Sequence, residues 1–301
     1  MSEIAIAQGD YQTGANYKTE VLGIVREQDN PAKEAVTLNS LGLLAGRQQE
    51  YGQARAYLEQ ALTLYQTVGN RRGESVAINN LGIIAHILGE YNQAHRYYQH
   101  SLMISREIGS RQEEAIILNN LGEVSAKQGN HLTAKTHYEQ CLILEKRIGM
   151  RSFEAHTLRV YGETLLALAS VAESKDKFTQ AINLHKELKQ EGMHLLPARL
   201  GLAQINQTLG NIQQAISELN AILEDLSSQT LDGLGDPLGF YWNCFILMQK
   251  LNDERAIDIL TKAYHLLLDQ AQKIEDPMSR RSFLENVPEH RLIVETASIN
   301  S

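Results

Sequence analysis

A pattern of apolar and small residues recurs along this chain every forty residues. The repeated pairs are Leu41-Gly42, Leu81-Gly82, Leu121-Gly122 and Tyr161-Gly162. Self-similarity at a fixed period of this size is typical of proteins built from one repeated supersecondary structure. The sequence therefore predicts a repeat protein.

Each repeat is predicted to contain two helices. In the third repeat, residues 72–88 form the first helix, residues 89–90 a turn and residues 91–108 the second helix. The turns contain glycine, which adopts the left-handed conformation with which helices commonly end. Gly42 and Ala54 lack bulk, so we expect the two helices of a pair to approach closely, with leucines filling the remaining space.

The predicted fold is all-α, a right-handed superhelical solenoid of antiparallel helix pairs with about seven repeats. Residues 1–230 form the array, and residues 231–301 form a degenerate terminal repeat and a C-terminal helical cap. The predicted repeats span residues 1–30, 31–70, 71–110, 111–150, 151–192 and 193–230. Beyond about residue 169 we expect the register to be lost, because Phe178 restarts the second-helix pattern after an insertion of about seven residues.

The first repeat is predicted to be truncated. Ser2 lies forty residues before Gly42 and is therefore the equivalent position in the first repeat. The first helix of this repeat thus lacks its N-terminal half. An array normally begins with a complete, polar-faced unit. We therefore expect the chain to be the C-terminal part of a longer protein, and the alternative is a short first helix that frays.

The residues of each repeat resemble the tetratricopeptide repeat. In the third repeat the matching residues are Leu81-Gly82, Tyr91, Ala94, Tyr98 and Ser101. The usual repeat has about 34 residues, so the period here is a long variant, similar to the repeats of kinesin light chains, Pins-type polarity adaptors and bacterial signalling proteins. The resemblance is specific for residues 31–168 and implies a protein-binding fold without a cofactor.

The end of the chain resembles the tail that closes such arrays in large bacterial regulators. Asp276-Pro277 and Val287-Pro288 carry part of this likeness, and two short helices divided near Asn286 are predicted. Their expected role is to cover the last apolar face of the array.

The first helices are expected to line a concave groove. Asn39 lies two residues before Leu41, on roughly the opposite side of the helix, so it points to the groove if Leu41 points into the pair. The residues predicted to form this peptide-binding groove are Asn39, Leu43, Arg47, Asn79, Asn80, Ile83, His86, Asn119, Asn120, Glu123, Lys127, His156, Arg159 and Glu163.

The recurring asparagines are the most specific functional feature of the sequence. An amide offers donors and an acceptor, so it can pair with a peptide backbone of any sequence. Asparagines at this place hold bound peptides in Pins-like and kinesin-light-chain-like repeats, and the resemblance implies that role here. The alternative is structural: asparagines can join neighbouring helices, and we expect one of each Asn-Asn pair to do so.

Charge and hydropathy exclude several classes of protein. The formal net charge is −8 and no dense basic run occurs, so nucleic-acid binding, which needs clustered Lys and Arg, is not expected. No apolar run approaches the ~20 residues that span a bilayer, and the N-terminus does not resemble a secretory signal. We expect a cytoplasmic protein with no membrane attachment.

The sequence predicts no enzyme, metal site or cofactor. The histidines do not have the i, i+4 spacing that places two imidazoles on one metal. No GxSxG elbow and no phosphate-binding glycine loop occurs, and Cys141 occupies a small packing position.

The predicted function is a protein–protein interaction scaffold that binds a peptide or a partner helix in its groove. One alternative is a regulatory or sensor domain of a larger bacterial signalling protein with an ATPase, cyclase or transcription-regulator part. A second alternative is a scaffold that forms a homo-oligomer through its truncated N-terminal repeat.

Overall fold

The computed structural model describes residues 10–190, 192–228, 231 and 234–300. These residues form helices and turns and contain no β-strand. The helices are α1 (Tyr11–Glu27), α2 (Pro31–Arg47), α3 (Tyr51–Thr67), α4 (Arg71–Ile87), α5 (Tyr91–Glu107), α6 (Arg111–Lys127), α7 (His131–Ile148), α8 (Arg151–Ala167), α9 (Val171–Glu187), α10 (Leu196–Thr208), α11 (Ile212–Ser228), α12 (Pro237–Lys250), α13 (Ala256–Gln272), α14 (Pro277–Glu285) and α15 (Pro288–Asn300). A 3₁₀ turn, Gly192–His194, precedes α10. The predicted truncated helix before Asp10 lies outside the described residues.

The helices follow one another in pairs joined by short turns, and the predicted all-α architecture of tetratricopeptide type is confirmed. The chain falls into two compact units. Unit 1 comprises Met1–Asn120 and Asp269–Asn286, and unit 2 comprises Leu121–Leu268 and Val287–Ser301. These units do not coincide with the boundary expected at residue 230, which stays a prediction.

The forty-residue period extends further than the sequence analysis predicted. Second helices begin at Tyr51, Tyr91, His131 and Val171, in steps of forty. Phe178 is therefore in phase with Tyr98 and Tyr138, seven residues into its helix, and the insertion expected before it is wrong. The second helices before it begin with Tyr or His, whereas this one begins with Val171, so the aromatic Phe178 resembles the first residue of a second helix in the sequence alone. The regular array therefore continues to the end of α9.

The close approach within a pair depends on the glycine of its first helix. A Cβ on Gly82 would lie 2.5 Å from Tyr98 Cε1, and a Cβ on Gly162 would lie 2.8 Å from Phe178 Cε1. Both rings are fully buried. A close-packed interior has no room for the extra atom. The repeated Leu-Gly step therefore leaves the space that a large residue of the second helix fills.

The turn inside a pair contains one left-handed residue. Gly89 and Gly129 have φ of 73° and 78°, as the sequence analysis expected. At the equivalent places forty residues before and after, Gln49 and Ala169 have φ of 67° and 58°. A left-handed residue with a Cβ costs roughly 1–2 kcal/mol. The chain therefore carries local strain at two of these four turns.

A charged contact recurs where one pair follows the next. In unit 1, Arg106 Nε and Arg111 NH1 donate to the two carboxylate oxygens of Glu114, at 2.8 and 2.6 Å. Burial acts to raise the pKa of Glu114, but the two guanidinium groups outweigh it and hold this pKa below its ordinary value. Arg26 and Glu34 form the same contact at 2.7 Å two repeats earlier. An arginine at the end of one pair is therefore joined to a glutamate at the start of the next pair at both places.

A carboxyl group is buried between α7 and α8 in unit 2. Glu145 is fully buried, and its Oε1 accepts a hydrogen bond from Thr157 Oγ1 at 3.0 Å. Burial raises the pKa of Glu145 above its ordinary value, and hydrogen bonds from the Thr157 hydroxyl and the Cys141 thiol offset only part of this.

We expect Ala169→Gly to stabilise the protein by about 0.5–1 kcal/mol. Removing the Cβ from a left-handed residue relieves strain in the folded state, and this gain exceeds the stability lost because glycine has more conformational entropy in the unfolded chain. Gly129→Ala, at the equivalent turn forty residues earlier, should destabilise it by about 1 kcal/mol. Urea unfolding measures both changes. Shifts of the same sign in the two variants would contradict this account of the turns.

The buried Glu145 should make stability depend on pH. Its folded pKa lies above its unfolded pKa, so its contribution is fully present below about pH 4.5 and is lost as pH rises through the folded pKa. At pH 8, Glu145→Gln should be about 1 kcal/mol more stable than the parent chain. Urea unfolding between pH 4 and pH 8 checks this, with the exposed Glu59→Gln as control. A gain that does not grow with pH would contradict the assignment.

Candidate functional site

Two asparagine pairs join successive first helices of unit 1. Asn80 Nδ2 on α4 donates to Asn39 Oδ1 on α2 at 3.1 Å. Asn120 Nδ2 on α6 donates to Asn79 Oδ1 on α4 at 2.9 Å. The two bonds have the same polarity and the same separation of 41 residues along the chain. The amides therefore tie each first helix to the next, which is the structural role that the sequence analysis kept as an alternative.

These amides are only partly accessible. Asn79 and Asn80 are 9% and 6% exposed, and Asn119 is also buried. Asn39 and Asn120 are half-buried. The surface therefore does not present a row of freely exposed amides, and a ligand can reach only the outer atoms of each pair.

Each pair keeps one donor group and one acceptor group for a ligand. Within the described chain, the Asn39 side chain makes one hydrogen bond, through Oδ1, and the Asn80 side chain makes one, through Nδ2. The Asn39 NH₂ group and the Asn80 carbonyl oxygen therefore remain available. A peptide backbone needs a donor for its C=O and an acceptor for its N–H. One asparagine pair offers this complementary set.

Apolar side chains flank the amides. Val36, Asn39 and Leu43 lie three and four residues apart, so they share one face of α2. Val36 and Leu43 are 54% and 45% exposed, and the half-buried Ile83 follows the amides on α4. We call this surface the first-helix face: Val36, Asn39, Leu43, Asn79, Asn80, Ile83 and Asn120. It combines hydrogen-bonding groups with apolar contact area.

Two further predicted residues in unit 1 have aromatic neighbours. The Arg47 guanidinium lies 5.6 Å from the centre of the Tyr11 ring. The His86 ring meets the Tyr91 ring edge to face, with centroids 5.6 Å apart. These contacts hold both side chains at the C-terminal ends of α2 and α4, and the structure gives neither a more specific role.

Predicted residues of the later repeats come together in unit 2, around a cavity of about 440 Å³. Four of them line it directly: Glu123, Lys127, Arg159 and Glu163. Other charged or polar lining residues are His131, Tyr138, Thr164, Gln204, Asp236, Asn243 and Glu289. The apolar part of the wall includes Val160, Leu200 and Phe240. The cavity thus has the size and mixed lining of a ligand site.

Arg159 is the centre of one charge network beside the cavity. Its NH1 donates to Glu163 Oε1 at 2.7 Å, and its NH2 lies 3.4 Å from His156 Nδ1. His156 Nε2 and Glu123 Oε1 are 2.8 Å apart. Burial acts to lower the pKa of Arg159, but Glu163 and Glu123 outweigh it and raise this pKa. The guanidinium group therefore stays charged, and its N–H groups bond to neighbouring side chains.

Lys127 is the centre of the second network. Its Nζ donates to Glu289 Oε1 at 2.7 Å and lies 3.6 Å from Asp236 Oδ2. Asp236 also caps the N-terminus of α12, where it accepts from the Gly239 N–H at 2.9 Å. Burial acts to raise the pKa of Asp236, but Lys127 and this N–H lower it below its ordinary value. One ammonium group therefore serves two carboxylates.

Sequence reasoning missed Asp236 and Glu289. Each stands beside a proline at a helix start, and that signal predicts the helix but not what the residue contacts. Glu289 meets Lys127 across 162 residues of sequence. The tail helix α15 also packs against α12. The tail helix α15 therefore contacts one helix of the last pair and supplies, through Glu289, part of the wall of the cavity.

The described residues contain no group of three or more His, Cys, Asp or Glu side chains that could hold a metal ion. None of the helices described is long and apolar enough to cross a membrane. Cys141 and Cys244 are both buried, and neither is in a disulfide bond.

The family model for the tetratricopeptide repeat matches residues 1–67, 33–107 and 113–187. The chain belongs to this family, as the resemblance predicted. No curated protein sequence matches it.

Several solved structures share the fold. The Rap conjugation gene regulator of plasmid pLS20, in complex with the Phr* peptide, has a TM-score of 0.68 and 13% identity, over 90% of this chain and 73% of the other. A Rap protein complexed with competence and sporulation factor has a TM-score of 0.59 and 14% identity, over 94% and 81%. The kinesin light chain TPR-like repeats of Podosopora anserina have a TM-score of 0.52 and 18% identity, over 65% and 95%. At these identities the likeness shows the fold alone.

A double-mutant cycle on Asn39 and Asn80 measures the bond between α2 and α4. We expect Asn80→Ala to cost roughly 1–2 kcal/mol of stability, because a buried amide loses its partner. The coupling energy between Asn39→Ala and Asn80→Ala should be about 1 kcal/mol. Urea unfolding of the four proteins gives these values. A coupling energy near zero would show that the amide pair does not hold the helices together.

Proposed function

We propose that this protein is an interaction protein that binds an extended peptide segment along the first-helix face of unit 1. The observation that carries the proposal is the pair of asparagine bonds. After each bond has formed, the half-buried member of the pair keeps one unused group, the NH₂ group of Asn39 or the oxygen of Asn120, and the buried member keeps the complementary group. Groups of this kind bind a polypeptide through its backbone.

The same arrangement favours an extended ligand over a helical one. In a helix the inner N–H and C=O groups are already paired with each other. An extended segment leaves these groups unpaired and directed sideways, where the asparagine pairs can bind them. The pairs between α2 and α4 and between α4 and α6 then offer two successive contacts along one segment.

The apolar residues of the first-helix face supply the rest of the contact. Val36 and Leu43 are exposed on both sides of Asn39. Burying such side chains contributes roughly 1.5–3 kcal/mol each when complete. Backbone contacts therefore give affinity for many sequences, and these two side chains select for apolar residues in the ligand.

Solved structures with this fold support the proposal. One Rap protein is complexed with competence and sporulation factor, and the plasmid regulator is in complex with the Phr* peptide. Their similarity in sequence is too low to transfer contacts. The assignment of the first-helix face therefore rests on the geometry of this chain.

Peptides selected on the full-length protein from a random display library test the proposal. Asn39→Ala and Asn120→Ala, the half-buried members of the two pairs, should each weaken binding about tenfold, because one backbone hydrogen bond contributes roughly 1.4 kcal/mol. Asn183→Ala, on an exposed face of α9, is the matched control and should leave the Kd unchanged.

N-methylation of single backbone nitrogens of the selected peptide separates backbone from side-chain recognition. It removes an N–H donor and keeps every side chain, so at one or two positions it should weaken binding about tenfold. Full tolerance at every position, together with unchanged binding by the two asparagine variants, would disprove the proposal.

A further inference from the structure

We infer that the cavity of unit 2 is a binding site for a positively charged group, an ammonium or a guanidinium carried by the ligand. Nothing in the family likeness assigns a ligand to this cavity. The cation can be a side chain or a terminus of the bound peptide, and in that case the inference rests on the proposed function.

The charge of the lining is the first support. Four carboxylate side chains line the cavity, and two basic side chains face them. The carboxylates are Glu123, Glu163, Asp236 and Glu289, and the basic groups are Lys127 and Arg159. An anionic ligand would meet an excess of like charge, whereas a cation would reduce it.

An unpaired carboxylate oxygen is the second support. Glu289 Oε1 accepts from Lys127, but Glu289 Oε2 is buried and has no hydrogen-bond partner among the described residues. A buried acceptor without a donor is costly, so a small rotation of this carboxylate that brings Oε2 to a ligand N–H in the cavity would be favourable. Ammonium and guanidinium groups carry only donors, which matches this requirement.

The pKa shifts of groups that line the cavity agree with a negative potential there. The pKa of the Tyr138 hydroxyl is raised well above its ordinary value, by burial first and then by the carboxylates of Glu123 and Glu163. Lys127 helps to keep the pKa of Asp236 low, so this carboxylate is ionised at neutral pH. Both observations agree with the excess of carboxylates over basic groups in the lining.

The size and the apolar wall fit a basic side chain. A cavity of about 440 Å³ accommodates the methylene stem and the charged head of lysine or arginine. Leu200 and Phe240 offer apolar surface to such a stem, while the head reaches the carboxylates. A free aliphatic amine has the same chemistry, so the experiment must separate the two sources.

Calorimetric titration of the full-length protein tests the inference. The probes are four hexapeptide pools with a central Arg, Lys, Glu or Leu and, separately, agmatine as a free cation. The Arg and Lys pools should bind at least tenfold more tightly than the Glu and Leu pools. Raising the salt concentration from 0.05 to 0.5 M should reduce this preference, because salt screens charge pairs.

Two conservative variants locate the effect. Glu289→Gln removes one charge at constant shape, and Asp236→Asn removes another while keeping a side chain that caps α12. Each should reduce the preference for basic pools to less than a third of its original value. Glu295→Gln, on the same helix as Glu289 and exposed, is the control and should change nothing.

The outcomes are distinguishable. Tight binding of the basic pools without binding of agmatine identifies a peptide side chain as the source, and saturable binding of agmatine that is lost in Glu289→Gln identifies a free amine. Pools that bind regardless of charge, or a preference that survives both variants, would overturn the inference and leave the peptide-binding face intact. Failure of every pool and of agmatine would overturn the inference, and the peptide selected by display decides separately on the first-helix face.

Discussion

The contact between a glycine on one helix and a large residue on the next is the constraint on which this fold depends. Tyr98 lies where a Cβ on Gly82 would be, and Phe178 has the same relation to Gly162. The contact fixes how closely two helices of a pair approach. It thereby fixes the spacing of successive first helices, and this spacing brings Asn80 within hydrogen-bond distance of Asn39. The surface chemistry of unit 1 follows from the packing of its core.

The asparagines show how one residue type can join neighbouring helices and still keep groups for a ligand. An isolated buried amide is unfavourable unless its groups are paired. Pairing Asn79 with Asn120 uses one donor group and one acceptor group, and it leaves the NH₂ group of the buried Asn79 and the oxygen of the half-buried Asn120 unused. In unit 2, Arg159 stands forty residues after Asn119, and Arg159 and Lys127 are paired with carboxylates there. The two units therefore present different chemistry on one architecture.

Most of the fold could be predicted from local patterns in the sequence. The features that could not be predicted depend on contacts between residues far apart in the chain. Helix pairs and left-handed glycines were predictable because period and turn chemistry act over a few residues. The register at Phe178 was misread because Val171 replaces an aromatic residue, although the later position was in phase. Arg159 and Glu163, both predicted to lie in the groove, do contact each other, because they are four residues apart on one helix. Glu289 could not be placed beside Lys127, because no local rule joins residues so far apart in sequence.

The two asparagine bonds have the same donor-to-acceptor direction, and this direction determines which way an extended peptide could lie across them. In both, the later helix donates and the earlier helix accepts, so the unused oxygen lies on the later helix and the unused NH₂ group on the earlier one. The N–H and C=O of one residue in an extended strand point to the same side, with the N–H first along the chain. A strand that satisfies both groups must run from α6 towards α2, opposite to the order of the repeats. A peptide bound as proposed would therefore be held in one direction only, without a contact to either terminus.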